Sequence, residues 1–194
     1  MTRMDEVLQN LLQLTGFSDD DSQILQKARS EIQKWEAGIV KVFYDTLYNY
    51  QPTSRLLGDK QRDDLVNSLS RWLKHLVSAE HNENFWKYQC FIGLVHIRRN
   101  IPNHLIIAMM SRIQTYFLAQ STYTFSTVEG MRLYVAFKKL TDIVIGLIAE
   151  GYFDGYLNAI QKITNLNREL VDRMVIREVE KLLEPKTRQQ SQGD

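Results

Sequence analysis

One imidazole in an apolar helical stretch carries the chemistry of this chain. His96 stands inside "FIGLVHIRRNIP", at i+4 from Ile92, where Phe85, Tyr88 and Ile92 and then Ile92, Val95 and Arg99 trace overlapping stripes. That spacing points the ring into an apolar pocket rather than into water. The helix is expected to end at Asn100, a residue type that tolerates the left-handed conformation, just before Ile101 and Pro102. In a last turn the ring gains from the helix dipole, and one nitrogen can lean on a free carbonyl and fix the tautomer, leaving the other for a metal. The plain alternative is a hydrogen-bonded core histidine, which is the more common fate of a lone His on an apolar face. The other histidines carry less: His81 falls in a polar loop, His75 near the far end of its helix, and His104 on the first, surface-facing turn of another.

The elements that must hold His96 read as helix almost throughout. Three prolines and nine glycines in 194 residues leave little punctuation. Met4, Val7, Leu8, Leu11 and Leu12 make a short amphipathic helix, and "SDDDS" after it is suited to cap the next. Helix is expected from about 21 to 50 with a possible break near 29–31, then a short turn bracketed by Pro52 and Gly58. Helices over 60–79, with Leu65, Leu69, Trp72, Leu73 and Leu76 on one face, over 84–99 and over 103–121 follow. After a threonine-rich break, helix is expected from 128 to roughly 184, with Gly146, Gly151 and Gly155 as soft spots. No stretch alternates at period two, so the fold class is all-α.

Composition narrows the function. A net charge of +1 gives no electrostatic case for nucleic acid or an anionic membrane surface. The apolar run at 143–153 is broken by Glu150, well short of the roughly 20 residues of a spanning helix. The opening "MTRMDEVLQNLL" lacks signal-peptide character, and a cytoplasmic protein is expected. The single cysteine, Cys90, excludes an internal disulfide and a cysteine-rich metal site, and reads as a small buried hydrophobe. No carboxylate–histidine cluster accompanies His96, which disfavours a protein-only zinc or di-iron site. A lone His ligand in a helical, aromatic-rich chain suits a cofactor that brings its other ligands, as haem does.

"FIGLVHIRRNIP" resembles the proximal segment of the globin domain of globin-coupled sensors and protoglobins. Ile92, Gly93, His96, Arg98 and Ile101 carry the likeness, with Asn100 at a glycine position and Pro102 closing the segment. "VFYDTLYNYQPTSRLL" resembles the family's distal segment, "SRWLKHL" its distal helix and "AFKKLTDIVIGLIAEGY" its long final core helix. The likeness covers roughly residues 5–180. The resemblance implies a globin fold around a haem pocket, with an extra N-terminal helix and an extended C-terminal helix. It implies haem b with His96 as iron ligand and Tyr44 as distal hydrogen-bond donor. Leu65, Ser68 and Leu69 would cover the other haem face, with Ser68 as a weaker donor. Phe43, Val42, Leu47, Phe91 and Val95 would be pocket wall, and Arg98 or Arg99 would pair with a propionate. This chain departs from the family in having "PNHLII" where aromatic residues usually follow the proline.

The expected function is a gas sensor that reversibly binds O2, with CO and NO as other ligands, and signals through a helical homodimer interface at about 129–170. Domains are expected at 1–165 (sensor globin), 166–184 (helical linker or dimerisation coil) and 185–194 (disordered tail), with an output domain or signalling partner elsewhere. No catalytic turnover is expected. Two alternatives remain: a haem-free globin-fold interaction module, and a haem enzyme removing NO or peroxide.

Overall fold

The computed structural model describes residues 3–57, 62–78 and 80–183, and among them there are nine helices and no strand. In order these are α1 (Arg3–Thr15), α2 (Asp19–Lys27), α3 (Arg29–Asn49), α4 (Gln51–Leu57), α5 (Arg62–Ser78), α6 (Glu83–Arg98), α7 (Asn103–Thr124), α8 (Thr127–Thr164) and α9 (Arg168–Leu183). The all-α expectation holds. The 185–194 tail and the Gly58 bracket lie outside the described residues. The chain divides between Phe153 and Asp154 into two compact units.

In the first unit the core gathers on α8, where Leu140, Ile143, Val144 and Leu147 are all fully buried. A helix apolar on this many sides is one surrounded by other helices. Phe137 of α8 stacks on Phe117 of α7 with ring centroids 3.7 Å apart. Helix α3 packs against α4, α5 and α7. The α1–α2 turn is tied to α8 by Lys139, whose Nζ donates to the Gly16 carbonyl at 2.9 Å and to the buried Asp21 carboxylate at 3.0 Å.

Two of the three glycines expected to be soft spots, Gly146 and Gly151, are sites of close packing instead. A Cβ on Gly151 would overlap the Cys90 carbonyl, and one on Gly93 would overlap the Ile148 carbonyl and the Tyr152 amide. Helices α6 and α8 therefore cross backbone to backbone, three residues before His96. Gly146 gives its space to Leu11 of α1.

Element boundaries differ from the sequence reading where side chains, rather than periodicity, set them. The break near 29–31 falls at Ala28. The turn expected after Tyr50 is a helix, α4, whose buried Thr53 donates its hydroxyl to the Tyr50 and Leu47 carbonyls and so closes the end of α3. Helix α7 runs through "STYT", and only Phe125 and Ser126 separate it from α8. At the start of α8 the Ser126 hydroxyl accepts from the Glu129 amide at 3.4 Å and donates to the Glu129 carboxylate at 2.7 Å.

The helix expected to run to about 184 stops instead at Thr164. Asn165 takes a left-handed φ of 59°, and the Asn167 side chain accepts from the Leu170 amide at 2.8 Å to start α9. An Asn at each role, αL terminator and N-cap, interrupts an otherwise continuous apolar pattern. In this second unit Arg168 pairs with Asp154.

Candidate functional site

The site begins at the end of α6. Asn82 caps its start, accepting from the Phe85 amide at 3.1 Å. At the other end Asn100 adopts φ 54°, the Ile101 amide donates to the His96 carbonyl at 2.9 Å, and the Asn100 amide donates to the Ile97 carbonyl at 2.9 Å. This is a Schellman ending. It places His96 in the last turn, as its spacing implied. It also takes up the His96 carbonyl.

The imidazole does not lean on a carbonyl. His96 Nδ1 is buried and has no hydrogen-bond partner, which corrects the expectation of a second nitrogen fixed by the backbone. Burial, helped by the nearby Arg99 guanidinium, pushes the ring down to about 4. The ring is therefore neutral at physiological pH, with a lone pair that is not spent on a proton. A buried polar nitrogen without a partner is costly in a protein core.

His96 opens onto a cavity of about 290 Å³. That is near the lower end, roughly 300 Å³, of pockets that hold small molecules. Phe43, Tyr44 and Leu47 enter from α3, Leu65, Ser68, Leu69 and Trp72 from α5, and Ile92, Val95 and His96 from α6. Helix α7 closes it with Ile106, Met109, Met110 and Ile113. Phe91, 53% exposed, and Leu56, 42% exposed, lie at its surface edge. The chemistry of the described lining is an apolar slot with one neutral imidazole, hydroxyls, and one cation.

Tyr44 is buried, edge-on to Phe43 with centroids 5.1 Å apart. Burial, with the Tyr48 phenol beside it and against the Arg99 charge, pushes its hydroxyl well above the ordinary phenol value. It stays a hydrogen-bond donor at any physiological pH. Ser68 lines the cavity but is exposed.

Six of the seven residues singled out from sequence, Phe43, Tyr44, Leu65, Ser68, Leu69 and His96, face this one cavity. Arg98 does not line it, whereas Arg99 does. Of the other wall candidates Leu47, Phe91 and Val95 face it, and Val42 does not. The α7 wall and Trp72 were not foreseen as cavity residues. In "PNHLII", Leu105 and Ile106 supply aliphatic wall. The position of Trp72 at i+3 from Leu69 was a signal for it, since three residues on is the same helix face.

Residues 4–158 match the model of the Protoglobin family. The chain belongs to the protoglobin family. Among solved structures, this protoglobin is similar to the globin domain of a Geobacter sulfurreducens globin-coupled sensor, at 20% identity and TM-score 0.69, over 74% of this chain and 96% of that one. It is also similar to the globin domain of E. coli DosC. The ferric form is 17% identical with TM-score 0.63, over 75% of this chain and 99% of that one. The ferrous form is 18% identical with TM-score 0.63, over 77% and 99%. At these identities the structural likeness establishes a shared globin fold. Comparison with curated proteins gave no match.

The residues present fit a haem. Among the described residues no group of three or more His, Cys, Asp or Glu could hold a metal ion, so a metal at His96 would need to bring its other ligands with it, as a haem iron does. Its unpartnered Nδ1, its neutral state and the apolar walls suit that role. Arg99 is the one charged side chain among the described lining residues, at the end of α6. No helix among the described residues is long and apolar enough to cross a membrane.

Proposed function

We propose that this protoglobin binds haem b and reversibly binds a diatomic gas, O2 with CO and NO as alternatives, as the sensory step of a signalling protein. The observation that carries the reading is a neutral His96 imidazole on the wall of a cavity that also holds the buried Tyr44 phenol. Ferrous haem supplies an open coordination position for a gas. His96 would hold the iron from one side. Tyr44, locked in its donor state, would hydrogen-bond a ligand that accumulates negative charge, with Ser68 as a weaker second donor. Leu65, Leu69 and Phe43 would exclude water. Arg99, with Arg98 beside it outside the cavity, would meet the propionates.

Signalling would pass to a second copy of the chain. Val128, Met131 and Val135 leave an exposed apolar stripe on α8, and Val175, Val179 and Leu182 leave another on α9. Stripes of this kind mark interaction surfaces. The reading is one of binding without turnover, with an output partner beyond these helices.

The deciding experiment is the absorption spectrum of the purified protein given haemin, in oxidised, reduced and O2-exposed states. A strong Soret band that is lost or altered in His96→Ala, and an oxygenated form weakened in Tyr44→Phe, is the expected result. Failure to take up haem specifically would overturn it.

A further inference from the structure

Trp72 sits on the cavity wall with its indole N–H turned away from the cavity. Its Nε1 donates to Gln89 Oε1 at 3.0 Å, joining α5 to α6. Gln89 is fully buried and does not line the cavity. Its Nε2 donates at 3.3 Å to the Phe85 carbonyl one turn back on the same helix. Gln89 precedes His96 by seven residues, close to two helical turns, so both lie on nearly one face of α6.

A buried carboxamide is tolerated when it is paired and is costly when it is not. Packing alone would be served by Met or Leu at position 89, as it is along most of the cavity wall. What the carboxamide adds is an acceptor for an indole that would otherwise present a donor to an apolar slot.

We propose that Gln89 is a specificity-determining residue, acting by sequestering the Trp72 indole N–H. With that N–H occupied, the α5 wall shows the cavity an apolar indole face, and Tyr44 is the buried donor available to a bound gas. The inference deepens the gas-binding reading and rests on it. Oxygen is the ligand that gains most from a hydrogen bond, and carbon monoxide gains little. Gln89 therefore limits the preference for O2 over CO by denying the site a second buried donor. It is a positioning residue, with no contact to the gas itself.

The test is a double-mutant cycle on the haem-loaded full chain with Gln89→Met, Trp72→Phe and both together. O2 and CO dissociation rates are measured on each. In Gln89→Met the released N–H is expected to slow O2 dissociation about three- to tenfold, the range of one net hydrogen bond. CO dissociation should change by less than about twofold on the same argument. In the Trp72→Phe background the Gln89→Met change should vanish. An equal change in both backgrounds, or no change in O2 dissociation for Gln89→Met, overturns the proposal.

A second readout needs neither haem nor gas. The Trp72 indole N–H of the apoprotein, assigned by its loss in Trp72→Phe, should be protected from solvent exchange and should lose that protection in Gln89→Met. Rapid exchange in the wild-type protein overturns the sequestration itself, even if no variant at position 89 folds. Failure to take up haem would overturn the gas-binding reading, and with it the ligand preference, while leaving sequestration to be decided by exchange.

Discussion

Two histidines of this protein lie in apolar surroundings, and they are treated in opposite ways. His81 uses both ring nitrogens. Its Nε2–H donates to the Leu76 carbonyl at 3.1 Å, and its Nδ1 accepts from the Ser22 hydroxyl at 3.0 Å. Phe17, Phe85 and Trp86 surround the ring, with the nearest centroid 4.8 Å away. His96, in equally apolar company, is left with a buried nitrogen that has no partner. Burial lowers the proton affinity of both. One half-buried imidazole is fully satisfied and the other is not, a contrast that fits a structural role for His81 and the proposed ligand role for His96.

The contrast can be broken most directly at His96. His96→Ala should weaken haem binding by at least about tenfold, since even losing an outer-shell partner costs a metal site that much. The apoprotein should stay as stable as before or gain slightly, because the orphaned nitrogen is gone. Haem titration and urea unfolding of the same variant check both halves. His81→Leu should do the reverse. Losing two hydrogen bonds and exposing their partners should cost about 1–3 kcal/mol in urea unfolding, with haem uptake unchanged. A variant that lost haem and stability equally would erase the distinction.

Tyr44→Phe sharpens the functional side. Removing the hydroxyl while keeping the ring should speed O2 dissociation by about tenfold, the worth of one strong hydrogen bond, with little effect on CO. Stopped-flow release measures it. The pH dependence then separates the structural side. His81 titrates below its ordinary value of 6.5 in the fold, so the unfolded chain binds its proton first. Its contribution to stability is whole above about 6.5 and is lost as pH falls below that. Apoprotein melting across that range should show a slope, shared with His96, that is reduced in His81→Leu and keeps the His96 part. The smallest effect belongs to the arginines. Arg99→Ala should reduce haem retention a few-fold, about 1 kcal/mol for one partly exposed ion pair, and Arg98→Ala less. Competition with a haem acceptor protein compares them.

Much of this was legible in the chain. Apolar spacing gave the helices because 3.6-residue periodicity is written directly into burial, and it aimed His96 into an apolar pocket before any neighbour was known. The tolerance of Asn100 for positive φ marked the end of α6. What stayed hidden depends on partners distant in sequence. "SAEHNEN" reads as a polar loop, and only the fold brings Ser22 and Phe17 to His81. Arg98 and Arg99 are indistinguishable by type, and one residue of helical rotation decides which faces the cavity. The stop at Asn165 was obscured because Leu166 and Leu170 continue the apolar rhythm across it. The wall from α7 was missed because that helix is apolar on most sides and offers no face to choose.

The crossing of Gly93 and Gly151 gives the helix that carries His96 a fulcrum. With no side chain cushioning the contact, α6 has almost no freedom to move toward α8 and must pivot there instead. A pull on His96, one turn beyond the pivot, would be felt as torque on the neighbouring backbone of α8 at Ile148 and Tyr152. A single methyl group at either glycine would jam that pivot by driving into the backbone of the facing helix.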